Sequence, residues 1–392
     1  MTTGQNTIFV AVSVTMEVGF DFTEIARKRC QVSKIKFAIV GTGAIAPIHA
    51  QAISGLEDAA VAAVVGNSAE RTQELACSHN CDWYSDYQEM LKRTDIDAVA
   101  ICTPNGLHAE LGIQAARAGK HVVLEKPIDI SLENADALIK ACQTQGVKLG
   151  VIFQRRYSQG VMELKQLLDQ GKLGNLIFGG CYIKLYRSQE YYDSGAWRGT
   201  WAMDGGGVLM NQGIHYIDML QFLAGSVAEV NAQCGTFGHS GLEVEDTAVA
   251  AIKFHSGALG VIEGTTCAYP GLVSRIDIYG TEGSAVIEND VLTSVQLQSG
   301  YEYKAGSNTD NAGVSSPNIS FECHQLQYQN IVAAIKNNQE PSVNGVESRK
   351  ALEIILAIYK SAYTGNRVTL PLSDSLFLGE LAKQGGFNPK SR

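Results

Sequence analysis

Three short stretches carry residue types that can do chemistry together. His215 has an imidazole that, at its ordinary pKa of about 6.5, takes up a proton near neutral pH. Lys126 has an ammonium that can donate to an oxygen as negative charge builds on it. Lys126 stands in Glu125-Lys126-Pro127, and His215 in Gly205-Gly206-Gly207-Val-Leu-Met-Asn211-Gln-Gly213-Ile-His215-Tyr-Ile-Asp218. Asn211 lies four residues before His215, the separation of neighbours on one helix face. Asp218, three residues after it, is a candidate to orient the ring. The third stretch, Gly41-Thr-Gly43-Ala44-Ile45-Ala46, has the spacing of a pyrophosphate cradle. Gly41 allows a tight turn, Gly43 lets phosphate approach the backbone, and the small Ala46 lets helix pack on strand while the N–H groups at the helix start face the phosphates.

Elements must position these groups. From Lys34 onward short apolar runs alternate with helical stretches, the mark of βαβ units and a parallel sheet. Strands are read at 36–40, 60–65, 97–102, 121–124 and 148–153, with helices at 46–54, 69–79, 107–118 and 132–145. After Gln154 the rhythm turns to longer β-rich segments at 176–185, 227–236, 248–254, 258–265, 275–279 and 284–288, separated by turn signals such as Ser256-Gly257 and Glu282-Gly283. Helices at 323–337 and 346–363 and an extended piece at 368–372 follow. The expected class is α/β plus α+β. A doubly wound parallel sheet occupies 34–153, and a large, mostly antiparallel, open-faced sheet with C-terminal helices occupies 154–372. Residues 373–392 are a tail. Residues 1–33 read as a disordered extension or as a start assigned too far upstream, with Met16 as the alternative start, and carry no assigned function.

The 392 residues are enough for two or three domains. With 31 Lys and Arg against 40 Asp and Glu, the net charge is −9, and there is no basic run, so nucleic acid is excluded as a partner. No apolar stretch of about 18 residues is present, so no membrane span is expected. Nine cysteines, scattered without C-x-x-C spacing, suit a reduced cytoplasmic compartment. Cys77, His79 and Cys81 lack further ligands, so no metal is expected.

At the end of the second strand a nicotinamide dinucleotide site that takes NAD holds an acidic residue for the ribose hydroxyls. Here Gly66 stands there, followed by Asn67, Ser68 and Arg71, a set that accommodates a 2′-phosphate. NADP is therefore favoured over NAD.

With Thr103-Pro104-Asn105 and His108 after the third strand, Glu125-Lys126-Pro127 after the fourth and the Gly-rich stretch ending at Asp218, the chain resembles the glucose–fructose oxidoreductase, inositol dehydrogenase and rhizopine-catabolism family (Gfo/Idh/MocA). The resemblance runs from Lys34 to Leu372. It implies an N-terminal Rossmann domain and an NAD(P)-dependent dehydrogenase or reductase acting on a secondary hydroxyl or ketone of a sugar, nucleotide sugar or cyclitol. It implies His215 as acid/base and Lys126 as donor to the substrate oxygen. Asn211, where many members have Asp, keeps a neutral group to orient hydroxyls, and Thr103, Pro104, Asn105, His108 and Glu125 line the cofactor site. The Asn is also similar to the branch that oxidises the 3-hydroxyl of UDP-linked uronic acids. An NAD-dependent glycosidase working by transient C3 oxidation, and a non-catalytic cofactor sensor, are the alternatives within the family.

The segment from Tyr186 to Trp201 is dense in aromatics and arginine, so Tyr191, Trp197 and Arg198 are candidates to stack on and bond a carbohydrate. Arg156, after the fifth strand, is a further substrate candidate, with a structural ion pair as its alternative. An open-faced second sheet would leave apolar area for a second copy to cover, so a homo-oligomer, dimer or tetramer, is expected.

Overall fold

The computed structural model describes residues 34–300, 303 and 321–387; the extension at 1–33 lies outside the described residues. The first sheet contains β1 Ile35–Val40, β2 Ala59–Val65, β3 Asp82–Tyr84, β4 Ala98–Ile101, β5 His121–Leu124 and β6 Leu149–Val151. All pairings are parallel, in the order β3-β2-β1-β4-β5-β6. The order reverses between β1 and β4, and the crevice beyond the C-terminal ends of strands at such a reversal is where open α/β sheets bind ligands. The turns after β1, β4 and β5 carry Gly41, Thr103 and Lys126 respectively. The sixth strand, β3, escapes sequence reading because Asp82-Trp-Tyr84 is three residues long and largely exposed.

Alternate residues of β1 serve opposite faces, as strand geometry requires. Ala38 and Val40 pack into one core with Leu124 and Leu138, whereas Phe37 and Ile39 pack into another with Ala50, Ile53, Tyr328, Ile331 and Val332. The last three belong to the helix Phe321–Lys336. That helix therefore covers the first sheet, although sequence order groups it with the second half. Its Gln327 accepts the N–H of Phe153 at 3.0 Å and donates to the Val151 carbonyl at 2.7 Å.

The second sheet runs β13-β12-β11-β7-β10-β9-β8-β14. Its strands are β7 Leu176–Lys184, β8 Val227–Gly235, β9 Thr247–Phe254, β10 Leu259–Thr265, β11 Arg275–Gly280, β12 Gly283–Glu288, β13 Val291–Leu297 and β14 Val368–Thr369. Only β7 and β10 pair in parallel. In β9, Ala248, Ala250, Ile252 and Phe254 are buried while Val249, Ala251 and Lys253 alternate on the open side. The covered face packs against the helices Ile214–Ala224 and Gly345–Thr364. Residues 373–387 are not a loose tail. Ser375 hydrogen-bonds Glu133, the helix Phe377–Lys383 buries Leu381, and the Phe387 ring meets Trp201 and Tyr359.

Candidate active site

At the cofactor end the backbone does most of the shaping. Gly41 has φ +101°, and a Cβ there would stand 2.6 Å from the Cys102 carbonyl oxygen, so only glycine lets β1 turn so close to β4. A Cβ at Gly43 would meet nothing within 4 Å, which leaves that backbone open to a phosphate. The helix Ala46–Ser54 begins just beyond, with Pro47 in its first turn and Ala44 and Ile45 leading into it. Thr103 Oγ1, at the end of β4, is buried with no hydrogen-bond partner among the described residues. An open glycine, a helix start and an orphaned hydroxyl on one rim fit a dinucleotide.

Three cofactor candidates read differently in place. His108 is fully buried, with its ring nitrogens 2.7 and 2.9 Å from the carbonyl oxygens of Pro127 and Thr103. It pins two loops together and has no surface left for a ribose. Asn105 is buried and spends its amide on the Asp204 carbonyl, at 2.8 Å. Gly66 has a packing reason independent of any cofactor, because a Cβ there would lie 2.5 Å from Thr72 Oγ1 and 2.8 Å from Thr42 Cγ2. Asn67 and Arg71 are exposed and Ser68 is half-buried, at the outer end of this rim. Glu125 is buried beneath Lys126, with Oε1 2.8 Å from His49 Nε2, and His49 Nδ1 lies 2.7 Å from the Tyr328 hydroxyl. Burial works against its charge, but His324 and His49 hold its carboxyl well below the usual carboxylate range.

The substrate end is a network of side chains. Lys126 follows β5 and donates Nζ–H to the Asn211 carbonyl oxygen at 2.7 Å. Asn211 lies in a wide π turn, Leu209–Gly213, that runs into the helix Ile214–Ala224; such turns often occur at functional sites. Glu245 fixes the start of this turn. Its carboxylate accepts the N–H groups of Gly207 and Leu209 at 2.9 and 3.0 Å and the Tyr359 hydroxyl at 2.9 Å. Burial pushes the Glu245 carboxyl up to about 7. A Cβ at Gly207 would fall 1.6 Å from the Glu245 carbonyl oxygen, which is why the approach needs glycine.

His215 is 8% exposed, its ring set edge-on to Phe153 at 5.9 Å, and its Nδ1 is buried without a partner among the described residues. Burial, reinforced by the positive charges of Arg155 and Lys126, holds the imidazole well below its ordinary value of 6.5. The surroundings thus favour the neutral imidazole, the form whose ring nitrogen has a lone pair for a proton. Burial also pushes the Lys126 ammonium down, while Glu125 and Asp204 pull it back up.

Arg156 takes its structural alternative. Its guanidinium is buried, pairing with Asp218 at 2.6 and 2.5 Å and with Glu347 at 3.1 Å, above the Phe222 ring. Asp218 thus neutralises Arg156, and its carboxylate is spent on that pair rather than on the His215 ring. The neighbouring Arg155, unremarked in the sequence, is the arginine that acts on His215. It pairs with Asp290 at 2.8 Å and lies over the Tyr216 ring. In the aromatic segment, Arg198 stacks between Tyr191 and Trp197, 4.3 and 4.6 Å from the two ring centres, and donates to the Tyr191 hydroxyl at 2.6 Å. Gln212, three residues before His215, donates to the same hydroxyl at 3.1 Å. Asp204 and Glu245 also escaped the sequence reading; the density of acids in Glu243-Val-Glu245-Asp246, within an otherwise apolar β-rich stretch, is the one signal that could have drawn notice to Glu245.

Residues 35–153 match the oxidoreductase family with an NAD-binding Rossmann fold, and residues 161–286 match the GFO/IDH/MocA C-terminal domain. The chain belongs to the GFO/IDH/MocA family. As a member of it, the protein is an NAD-binding oxidoreductase. It is 26% identical over 344 residues to a myo-inositol 2-dehydrogenase of Thermotoga maritima, covering 83% of this chain and 96% of that one. Among family structures, the WlbA dehydrogenase of Bordetella pertussis, in complex with NADH and UDP-GlcNAcA, superposes with a TM-score of 0.78 at 33% identity, over 87% of this chain and 99% of that one. The WlbA dehydrogenase of Chromobacterium violaceum, with the same two ligands, gives 0.77 at 32% identity, over 87% and 97%. No described helix is long and apolar enough to cross a membrane.

Proposed function

We propose that this family member transfers a hydride between NAD(P) and a secondary hydroxyl of a nucleotide-linked uronic acid. The observation that carries the reading is the pairing of His215, buried and held neutral, with Lys126 on the C-terminal rim of the parallel sheet. When bound, the nicotinamide supplies the acceptor for the hydride that leaves carbon. His215 takes the hydroxyl proton as the C=O bond forms, and Lys126 donates to that oxygen as charge develops on it. Asn211, four residues before His215, orients neighbouring hydroxyls.

An anionic substrate is favoured by Arg187 and Arg198. Both flank the Tyr191 ring, at 5.3 and 4.3 Å, and neither pairs with a carboxylate among the described residues. The two WlbA structures with UDP-GlcNAcA support the same class. At the outer rim no acidic side chain stands at 66–68 to repel a 2′-phosphate and Arg71 is free to meet one, so NADP is proposed as the preferred cofactor. The exposed face of the second sheet, with Val249 at 51% and Leu259 at 61% exposure beside the stacked rings of Phe178 and Tyr279, is proposed as the contact between copies.

The deciding experiment follows absorbance at 340 nm with UDP-GlcNAcA and with myo-inositol, each with NAD and NADP. Reduction of cofactor with UDP-GlcNAcA supports the reading; turnover of myo-inositol alone overturns the substrate class.

A further inference from the structure

Asn211 is neutral and Asp218 is spent on Arg156, so the helix that carries His215 supplies no carboxylate toward Lys126. The fold returns one from another segment. Asp204 is 2% exposed, and its Oδ1 accepts the Asn211 side-chain N–H at 2.8 Å. Its Oδ2 accepts the Gly199 N–H at 2.9 Å, next to Arg198 in the aromatic segment. Asn105, from the loop after β4, donates to the Asp204 carbonyl at 2.8 Å and reaches Oδ1 at 3.4 Å. On its other side Asn211 accepts Lys126 Nζ through its backbone carbonyl. The loop around Asn105 and the stretch from Gly199 to Asn211 therefore meet on one buried carboxylate. The charged groups acting on it most strongly are Lys126 and Arg198, both positive. A buried carboxylate is retained only when hydrogen bonds and opposite charges compensate its lost hydration, and here they do.

We infer that Asp204 is an anionic positioning residue of this site, alongside Glu125: through Asn211 it helps keep Lys126 charged and aimed at the substrate oxygen, and through Gly199 it fixes the segment that carries Arg198. Its kinetic consequences rest on the hydride-transfer reading above; its effect on Lys126 rests on the geometry alone. The carboxylate does not touch substrate. It acts through Asn211, whose side-chain amide donates to the anion and whose backbone carbonyl accepts from the ammonium.

The test exchanges amide and carboxylate across the Asp204–Asn211 hydrogen bond. Asp204→Asn keeps the shape and removes the charge; adding Asn211→Asp returns one negative charge to the far side of the same bond. On whichever of UDP-GlcNAcA or myo-inositol the wild type turns over, the single variant should lose roughly tenfold or more in kcat, with NADH affinity within about twofold by fluorescence titration. Burial pushes the Asp204 carboxyl up to about 6, so the acid limb of the pH profile that it contributes should vanish in Asp204→Asn. The double variant should recover most of the lost kcat. A second readout needs no substrate: acetylation of Lys126 by acetic anhydride, followed by peptide mass across a pH series. Its midpoint should fall by about one pH unit in Asp204→Asn, the usual scale for losing a nearby opposite charge, and return in the double variant. A wild-type pH profile and labelling midpoint in Asp204→Asn, or a double variant no better than the single, overturns the inference. If the wild type turns over neither probe, the substrate reading falls and Lys126 labelling alone decides the role of Asp204.

Discussion

The two ends of the cleft are held in different ways. At the cofactor end, Gly41, Gly43 and the start of the helix Ala46–Ser54 present backbone, and the side chains on the outer rim point into solvent. At the substrate end, Lys126, Asp204, Asn211 and Glu245 are each fixed by a partner from another segment. A site made of backbone tolerates changes in the side chains around it. A site made of interlocked side chains transmits the loss of any one of them to the rest.

The comparison breaks most visibly at the proton-transfer pair. His215→Ala and Lys126→Ala should each lower kcat by about 10²–10⁴-fold, with NADH affinity by fluorescence titration unchanged in the His215 variant. Because both act on one oxygen, the double variant should lose less than the product of the two effects. A His215→Ala enzyme keeping a large share of wild-type kcat would remove the mechanism.

Arg156→Ala should separate structure from chemistry. Breaking a buried ion pair leaves Asp218 charged and alone, at a cost of about 3–5 kcal/mol. Denaturant unfolding should show that loss, while KM for the substrate in the remaining folded protein stays near wild type. A raised KM with normal stability would restore Arg156 to the substrate.

Glu245 links the network to pH. Its carboxyl is raised from the ordinary 4.5 to about 7 in the folded chain. Between those values the unfolded chain gives up the proton and the native chain keeps it. The stability this group contributes is therefore complete below pH 4.5 and is lost as pH rises through about 7. Glu245→Gln should flatten that part of a Tm-against-pH curve, and an unchanged slope would show that another group is responsible.

The smallest effect belongs to the backbone-built end. Arg71→Ala should weaken NADP binding by about 1 kcal/mol, the scale of an exposed charge-assisted contact, and leave NAD within experimental error by calorimetry. Equal weakening of both would place Arg71 on the shared part of the dinucleotide. An acidic probe of this rim belongs at Asn67, since Gly66 has no room for a side chain.

The same contrast explains what the sequence revealed. The glycine cradle was legible because backbone chemistry needs fixed residue types at fixed spacing. His215 and Lys126 were legible through motifs. Glu245 and Arg155 were not, because each acts on a partner in a distant segment and its spacing to that partner means nothing along the chain; Asp204, seven residues before Asn211, was missed because no regular element spaces the two. Arg155 and Arg156 show the limit most sharply. They sit in the 3₁₀ turn Gln154–Tyr157, where successive side chains diverge by about 120°. One arginine therefore acts on the imidazole and the other makes the structural pair with Asp218 and Glu347 that the sequence reading held as its alternative. The strand pattern was read well except for the short β3 and the seven-residue β13, the helix Gln159–Asp169 went unread, and the helix Phe321–Lys336 was placed with the wrong sheet.

That helix has a consequence for how the chain can be divided. Phe37 meets the Tyr328 ring at 5.6 Å, and a Cβ at Gly150 would stand 3.0 Å from Ile331 Cδ1. The first sheet is thus finished by residues made almost 300 positions after its first strand. A fragment ending at Phe153 would strip Phe37 and Ile39 of part of their packing and take the Tyr328 hydroxyl from His49. The nucleotide half is therefore not a portable cassette. During synthesis this face of the sheet is completed only once residues 321–336 have been made.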